Sequence, residues 1–346
     1  MNNSASFELA KRGKPWTLYQ IPNPLGMPGE KPPDRILIMS QTLVNTQTNW
    51  SRELADAVRD VETLCRLLEL SEEQTREFCE ASLNFPVLVP RSFLDRMQRG
   101  NPRDPLLLQV VPQRAEFVET PGFGRDPVGE EDARIAPGLL QKYAGRALLV
   151  TTSSCAVHCR YCFRREYPYH TEPRTLAEFE PALEAIRADE SLHEILLSGG
   201  DPLMLTDQRL SELFARLRSI PHVRRIRLHT RLPIVLPSRV TPALLELLGD
   251  SRTKSIVVVH ANHRNEIAGD CVEALRRLVE SRLMVLNQSV LLRDVNDNAD
   301  ALADLSNRLI DLGVLPYYLH QLDRVKGAAH FEVPPERGFE LMVELR

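Results

Sequence analysis

The segment Cys155-Ala-Val-His-Cys159-Arg-Tyr-Cys162 spaces three cysteines as C-x3-C-x2-C, directly after the apolar run Ala147–Val150. Three thiolates can hold three irons of a [4Fe-4S] cluster and leave the fourth iron without a protein ligand. Because an open coordination position is typical of a catalytic metal site, we expect a reactive cluster rather than a structural one. The pattern predicts that the open iron binds S-adenosylmethionine through its amino and carboxylate groups, and that the reduced cluster cleaves it to a carbon radical.

Two other interpretations of these cysteines remain open. A zinc site would use the same thiolates with His158 or His170 as the fourth ligand. Structural zinc sites usually contain two separated ligand pairs, however, and the sequence has no second pair. Chance clustering of core cysteines is the other interpretation, and the neighbouring Arg160, Arg164 and Arg165 favour a polar loop instead.

The composition is that of a soluble globular protein with a large core, since 26% of the 346 residues are charged and 43% are hydrophobic. A net charge of −4 gives no electrostatic argument for nucleic-acid binding. The sequence shows neither an apolar run of the roughly 18 residues that span a membrane nor a secretion signal. Six cysteines in a chain of this size do not make a disulfide framework, so we expect a cytoplasmic protein.

The first part of the sequence predicts a leader and a helical region. Residues 1–38 are rich in proline and have no sustained period, which predicts a disordered leader. Apolar residues then recur every three or four positions over Trp50–Leu68, which predicts one amphipathic helix, and Ser71 with Gln74 resembles a capping box that opens a second. Residues 39–141 are therefore predicted to be an N-terminal helical region that ends in a Pro/Gly-rich connector.

Residues 142–346 alternate apolar strand-like runs with amphipathic helical patterns, with a repeat of about 30 residues, the length of one βα unit. This alternation predicts an α/β fold with a parallel sheet. Six units predict a partial (β/α)6 TIM-like barrel rather than a closed eight-stranded one. The predicted strands are Ala147–Val150, Glu194–Leu197, Arg225–His229, Ser255–His260, Leu283–Gln288 and Leu315–His320.

Polar groups follow every predicted strand, at the end where parallel barrels carry their chemistry. After the cysteines they are Ser198–Pro202, His229-Thr-Arg231, His260-Ala-Asn262-His263, Asn287–Ser289 and His320–Asp323. Gly199 and Gly200 would let the backbone approach a ligand and Asp201 would accept from a ligand ammonium, although a plain strand-ending turn is the alternative. His260 and Gln288 fit hydrogen-bond partners of adenosine or of the methionine carboxylate.

Charged side chains on two sides of the predicted barrel mouth indicate the substrate. Arg164, two residues past the last cysteine, fits a two-point clamp on a carboxylate, and Asp323 fits a partner for a cation. Together they imply an amino acid with a distal ammonium. Lys142, Tyr143 and Arg146, just before the first strand, fit a phosphate-bearing ring cofactor or, alternatively, a solvated basic edge.

These motifs resemble the radical S-adenosylmethionine lysine 2,3-aminomutase family over roughly residues 50–346. The resemblance is carried by Cys155–Arg165, Ser198–Pro202, Leu236–Thr241, Asn287–Arg293 and Tyr318–His330. Within the family, Cys155–Arg165, Leu292–Asn298 and Gly327–Phe331 resemble the branch that serves elongation factor P. That branch converts (S)-α-lysine to (R)-β-lysine, which a partner lysyl ligase attaches to the factor.

The resemblance implies a partial (β/α)6 barrel that uses pyridoxal 5′-phosphate besides the cluster and S-adenosylmethionine. Position by position, it assigns Cys155, Cys159 and Cys162 to the cluster; Ser198, Gly199, Gly200, Asp201, His260 and Gln288 to S-adenosylmethionine; Lys142, in place of an arginine, Tyr143 and Arg146 to pyridoxal phosphate; Arg164 to the substrate carboxylate; and Asp323 to the ε-ammonium.

One departure from the family concerns the lysine that binds pyridoxal phosphate. In the family it lies in a C-terminal segment, beside a second acid for the ε-ammonium, and we expect that segment to be absent from a sequence that ends at Arg346. Lys326 is a poor substitute because it aligns with a loop. The alternatives are a radical enzyme acting on glutamate or another amino acid, and a truncated chain that binds cluster and S-adenosylmethionine without turnover. The oligomeric state is not indicated.

Overall fold

The computed structural model describes residues 43–82, 85–249 and 252–346, with side chains from Asn49 onward. The predicted leader, residues 1–38, lies outside the described residues. Among the helices of these ranges, none is long and apolar enough to cross a membrane.

Eight strands form one sheet, and their spatial order follows the sequence. They are β1 Arg134–Ala136, β2 Leu139–Tyr143, β3 Arg146–Thr152, β4 Glu194–Gly199, β5 Arg225–Thr230, β6 Lys254–His260, β7 Met284–Val290 and β8 Leu315–His320. Strands β3 to β8 are parallel, and each of them overlaps one predicted strand. Because β1 and β8 each have one neighbour, the sheet is open, and the predicted partial barrel of six parallel strands is confirmed.

A hairpin of β1 and β2 precedes the parallel strands. The sequence pattern does not predict it, because these strands are only three and five residues long. Pro137 and Gly138 form its turn, and the φ of +74° at Gly138 is one that glycine adopts readily. Strand β2 pairs antiparallel with β3, with Leu139 opposite Leu149. The hairpin thus adds two strands to the sheet on the side of β3 that faces away from β4.

The helices of the described ranges are α1 Leu43–Ala55, α2 Val61–Leu67, α3 Glu72–Glu80, α4 Arg91–Leu94, α5 Glu180–Ala188, α6 Asp207–Arg218, α7 Leu232–Val235, α8 Pro242–Leu248, α9 Asp270–Glu280, α10 Ala299–Ile310 and α11 Pro335–Glu344. The capping box of Ser71 and Gln74 is confirmed at the start of α3. The single helix predicted over Trp50–Leu68 is wrong. The chain breaks there because the Asp60 carboxylate accepts from Thr63 N at 2.7 Å and caps a new helix, α2.

Alternation of side chains along each parallel strand separates an outer face from an inner one. On β6, Val257 and Val259 belong to the main core with the helices, whereas Ile256 and Val258 form a smaller apolar cluster with Leu286 of β7. Burial of each such aliphatic side chain stabilises the fold by about 1.5–3 kcal/mol. The residues that continue the Val258 and Leu286 face therefore point to the inner side of the open barrel.

Candidate active site at the carboxyl edge of the sheet

Four polar side chains continue the inner face where the parallel strands end. They are Ser198 on β4, His229 on β5, His260 on β6 and Gln288 on β7. His260 and Gln288 are register partners, each two residues beyond the inner apolar cluster. Burial lowers the pKa of His229 to about 3, and its Nε2 has no hydrogen-bond partner among the described residues. The strand ends thus bring neutral histidines and an amide together at the barrel mouth, as the sequence predicts.

The three motif cysteines lie in the loop that follows β3, and all three are free thiols. Burial raises the pKa of Cys155 well above its ordinary value, and the nearby Cys162 raises it further. Burial also raises the pKa of Cys162 to about 11, with Cys159 contributing in the same direction. These raised pKa values keep the thiols protonated, so a bound cation would be needed to stabilise them as the thiolates that ligate metal.

The two histidines considered as zinc ligands have other surroundings. His158 Nδ1 is 3.0 Å from the carbonyl oxygen of Pro86, and His170 is exposed. In the described part of the chain, no three His, Cys, Asp or Glu side chains converge where a single ion would bind. The ligands of a [4Fe-4S] cluster bind different irons and stand farther apart than those of a single zinc ion.

Buried ion pairs with one carboxylate, Glu116, hold the cysteine loop in place. Arg160 is fully buried and contacts Glu116 through Nε at 2.8 Å and Nη2 at 2.5 Å. Arg165 adds a third contact, with Nη2 3.0 Å from Glu116 Oε2. Arg160 and Arg165 are therefore structural partners of one carboxylate, and a chance cluster of core cysteines would not need them.

The glycine loop after β4 packs directly against the segment that leads to the first cysteine. Gly199 has a φ of +120°, and a Cβ on Gly200 would lie 2.3 Å from the carbonyl oxygen of Ser154. Gly200 N donates to Thr152 O at 2.7 Å, and Asp201 N donates to Ser154 O at 2.8 Å. The glycines thus allow a close approach between two backbones, which is a different reason for them than the predicted approach to a ligand.

Asp201 is buried, and protein groups occupy both of its carboxylate oxygens. Oδ1 accepts from Leu203 N at 3.0 Å and from Thr230 Oγ1 at 2.7 Å, and Oδ2 accepts from Arg231 N at 2.6 Å. Burial raises its pKa to about 6. The side chain therefore ties the end of β4 to the end of β5, and its predicted contact with a ligand ammonium stays a prediction.

Arg164 is buried at the barrel mouth and makes an ion pair that the sequence does not predict. Its Nε and Nη2 lie 2.8 and 2.6 Å from the two carboxylate oxygens of Glu130, which comes from the loop before β1. Its Nη1 donates to Ser198 Oγ at 2.9 Å and to Gly199 O at 3.2 Å. One edge of the guanidinium is thus held by Glu130, and the other faces the glycine loop.

Asp323 lies in the loop after β8 and is half-buried. Burial raises its pKa, His320 and Lys142 oppose that shift, and Glu130 adds to it. The Glu130 loop also touches the Asp323 loop, because Gly124 N donates to Arg324 O and Lys326 N donates to Gly124 O, both at 2.9 Å. The structure therefore brings Arg164 and Asp323 to one mouth, joined by the loop that carries Glu130.

The backbones of Lys142, Tyr143 and Arg146 lie at the opposite edge of the sheet from the cysteines, because they end β2 and begin β3, and the Lys142 ammonium donates to Val128 O in the loop that carries Glu130. At about 3.3 Å per residue, the length of β3 separates Arg146 from the cysteine edge by roughly 20 Å. The Arg146 guanidinium is 4.9 Å from the Tyr143 ring centroid, and both Tyr143 and Lys142 are exposed. Lys326, the rejected substitute for the cofactor lysine, is exposed and 3.5 Å from Glu119.

Sequence reasoning missed a buried polar network around Arg231, which sits at the end of β5. Gln109 Oε1 accepts from Arg231 Nη2 at 2.6 Å and from Asn262 Nδ2 at 3.0 Å. The Tyr161 hydroxyl, next to the last cysteine, accepts from Asn262 at 2.7 Å and lies 3.1 Å from His260 Nε2. The only sequence signal was the polar strand end His229-Thr-Arg231, because Gln109 is distant in the chain and carries no motif of its own.

Comparison with known proteins gives both a family profile and full-length relatives. The profile of the Radical SAM superfamily matches residues 149–305. The L-lysine 2,3-aminomutase of Escherichia coli (strain K12) is 48% identical over 301 residues, which cover 87% of this chain and 88% of that protein. The L-lysine 2,3-aminomutase of Haemophilus influenzae is 42% identical over 310 residues, covering 90% and 92%. That of Buchnera aphidicola is 41% identical over 303 residues, covering 87% and 89%.

Proposed function

Because the chain belongs to the L-lysine 2,3-aminomutase family of radical S-adenosylmethionine enzymes, we propose that this isomerase converts (S)-α-lysine to (R)-β-lysine. One observation carries the proposal. The three free cysteines stand beside the Ser198–Asp201 loop at the carboxyl edge of an open sheet of parallel strands, where this class of barrel performs its chemistry.

Cys155, Cys159 and Cys162 would hold the [4Fe-4S] cluster. The Ser198–Asp201 loop, His260 and Gln288 would surround S-adenosylmethionine. When bound, the cluster and S-adenosylmethionine together supply a carbon radical that abstracts hydrogen. The contribution of the chain is to hold both groups beside the lysine and to exclude water, and such a cluster requires the reducing cytoplasm in which we propose the enzyme acts.

Pyridoxal 5′-phosphate is the third cofactor of the proposal. Lys142 and Arg146 offer two cations for its phosphate, and Tyr143 offers an aromatic face for its ring. The Arg146 guanidinium lies 4.9 Å from the Tyr143 ring centroid, and because Arg146 starts roughly 20 Å from the cysteine edge, the cofactor would have to extend along the inner face of the barrel toward the lysine. When bound, this cofactor supplies the conjugated ring that lets the amino nitrogen migrate.

Lysine would be held at its two ends. The Nη1 side of the Arg164 guanidinium would bind the carboxylate in competition with Ser198 Oγ and Gly199 O, and Asp323 would bind the ε-ammonium. Both groups are removed from bulk water, which strengthens their interactions with a charged ligand. Fixing both ends orients the Cα–Cβ bond for hydrogen abstraction.

We propose further that the β-lysine serves the modification of elongation factor P through a partner lysyl ligase. The motifs Leu292–Asn298 and Gly327–Phe331 support this branch of the family. The test is to supply purified enzyme, elongation factor P and ligase with lysine and to determine the mass added to the factor. Omitting the enzyme is the control, and a factor that gains the same β-lysyl group without it contradicts the proposal.

The central experiment uses the anaerobically reconstituted full chain with dithionite, S-adenosylmethionine, pyridoxal phosphate and an amino acid. We expect (R)-β-lysine from lysine and no β-amino acid from glutamate, measured by chiral chromatography and mass spectrometry. Cys159→Ser is the matched control and should lose iron and activity together. Turnover of glutamate alone would favour a different aminomutase, and cleavage of S-adenosylmethionine without β-lysine would limit the chain to the first half of the reaction.

A further inference from the structure

Arg231 is a buried cation wedged between the glycine loop and the cysteine loop, with an exposed fraction of 6%. Its backbone N–H donates to Asp201 Oδ2 at 2.6 Å, which fixes the start of the side chain beside the end of β4. A buried guanidinium is stable only where hydrogen-bond acceptors surround it. The acceptors around Arg231 therefore identify the groups with which its buried charge interacts.

One of these partners is a predicted cluster ligand. Arg231 Nη1 lies 2.7 Å from Cys159 Sγ. This contact fits a [4Fe-4S] cluster, whose thiolate ligands and sulfides carry negative charge.

The guanidinium is held rigidly in this position. Nη2 donates to Gln109 Oε1 at 2.6 Å and to Glu266 Oε2 at 2.9 Å. The rings of Phe93 and Tyr161 have their centroids 5.4 and 5.7 Å from the guanidinium carbon. With Nη2 engaged twice and two aromatic rings close to the guanidinium, Nη1 has little freedom to turn away from Cys159.

Glu266 is fixed as firmly as its arginine partner, with an exposed fraction of 0%. Its Oε1 accepts from Asn262 N at 2.8 Å, from His263 N at 3.1 Å and from Gln109 Nε2 at 3.0 Å. The carboxylate therefore has a fixed place behind Arg231, and its charge partly offsets that of the guanidinium. The two residues form a fixed dipole whose positive end faces Cys159.

We propose that Arg231 raises the reduction potential of the cluster by donating to Cys159 Sγ, and that Glu266 limits this effect. The inference rests on the proposed cluster at the three motif cysteines. Reduction adds one electron from an external low-potential donor and makes the cluster more negative, with no bond formed or broken. A hydrogen bond from a cation to a ligand sulfur stabilises that added charge, so the reduced state is favoured. Arg231 is thus a positioning residue. It stabilises the added negative charge of the reduced cluster and takes no part in making or breaking bonds.

The test is an anaerobic redox titration of the reconstituted full chain with dithionite, followed by electron paramagnetic resonance of the reduced cluster. Arg231→Gln should lower the ratio of reduced to oxidised cluster at fixed ambient potential about tenfold, which is about 59 mV for one electron. Arg231→Lys should fall between this variant and the wild type. Glu266→Gln should shift the potential in the opposite direction, because it removes the negative charge behind Arg231.

A buried arginine away from the cysteines provides the matched control. Arg239 is fully buried and donates to the carbonyl oxygens of Leu203 and Leu205, so Arg239→Gln removes a buried cation that lies outside the Arg231–Cys159 contact. The iron content and the cluster reduction potential of Arg239→Gln should match those of the wild type. A general loss of stability would lower the iron content of all variants, and it would not move two potentials in opposite directions.

Iron and sulfide per chain are determined for each protein before titration. Wild-type potentials in both Arg231→Gln and Glu266→Gln, with full iron content, would overturn the inference and leave the proposed function standing. A wild-type chain that binds no iron would remove the proposed function itself. If Arg231→Gln fails to hold a cluster, Glu266→Gln decides alone, since an upward shift supports the inference and an unchanged potential overturns it.

Discussion

The Glu130 carboxylate binds the Arg164 guanidinium at two points inside the barrel mouth, with Nε 2.8 Å from Oε2 and Nη2 2.6 Å from Oε1. The side chains have exposed fractions of only 4% and 6%. This pair fixes the plane of the guanidinium and occupies one of its edges. In the proposed lysine complex, the substrate carboxylate would therefore have to approach the other edge, where Nη1 contacts Ser198 Oγ.

Removing one partner of this pair should destabilise the protein more than removing both. Glu130→Leu leaves an unpaired buried guanidinium, and we expect a loss of about 3–5 kcal/mol in the free energy of unfolding. The double variant Glu130→Leu with Arg164→Met should lose less than Glu130→Leu alone, and therefore less than the sum of the single changes, because no charge is then left unpaired. Urea unfolding of the ligand-free protein measures all three, and strictly additive losses would show that the pair does not couple.

A methyl group at Gly200 should disrupt the contact between the glycine loop and the cysteine loop. In Gly200→Ala the new Cβ would lie 2.3 Å from Ser154 O, so we expect a destabilisation of about 1–3 kcal/mol or more, and less iron bound per chain. Gly124→Ala is the control, since its Cβ would meet no atom within 4 Å and should change stability by only about 0.5 kcal/mol. Full iron content in Gly200→Ala would contradict this packing.

Asp323→Asn should weaken the binding of lysine without affecting the cleavage of S-adenosylmethionine. Asp323 is half-buried, so we expect a contribution of about 1.4 kcal/mol to binding of the ε-ammonium and a roughly tenfold higher KM for lysine. The rate of 5′-deoxyadenosine formation at saturating lysine should stay near that of the wild type. Asp311→Asn changes an exposed acid on the protein surface and serves as control. An unchanged KM in Asp323→Asn would place the ammonium elsewhere.

His330 should make the protein less stable in mild acid. Burial lowers its pKa to about 4, and neither ring nitrogen has a partner among the described residues. In the unfolded chain, with a histidine pKa near 6.5, this side chain binds a proton that it does not bind in the folded chain. The free energy of unfolding therefore falls as the pH drops from about 6.5 to about 4. The full effect is about 3 kcal/mol.

His330→Phe should remove this part of the pH dependence, because phenylalanine has no titratable group. It keeps an aromatic ring at a site where the His330 and Phe331 ring centroids are 4.1 Å apart. Unfolding free energies of the variant and the wild type, measured from pH 7 to pH 4, give the comparison. His193→Phe changes a histidine elsewhere in the chain and is the control. Parallel curves for wild type and His330→Phe would contradict the assignment.

The parallel strands and the cysteine edge could be predicted because their signals are local. Alternation along β6 and the repeat of strand and helix are properties of neighbouring residues, and they place His260 and Gln288 correctly at adjacent strand ends. The hairpin of β1 and β2 was too short to give a period. Local pattern also failed over Trp50–Leu68, where the cap formed by Asp60 overrides a continuous apolar period.

The contacts of the candidate site that could not be predicted join distant parts of the chain. Glu130 and Arg164 are 34 positions apart, and Gln109 and Arg231 are 122 positions apart. No spacing rule connects such residues, because their partners are set by how the loops fold over the sheet. The role of Gly200 was likewise hidden, since the atom that forbids a side chain belongs to the preceding strand's loop.

The backbone bonds between Gly124 and the Arg324–Lys326 segment have a consequence for substrate recognition. They join two separate segments, the loop with Glu130, which holds Arg164, and the segment with Asp323, so the two proposed contacts with the charged ends of lysine are linked. A shorter homologue such as ornithine would then have to displace both joined segments to reach Arg164 and Asp323 at once. Discrimination by length should then appear as a cooperative penalty, larger than the loss of either terminal contact taken alone.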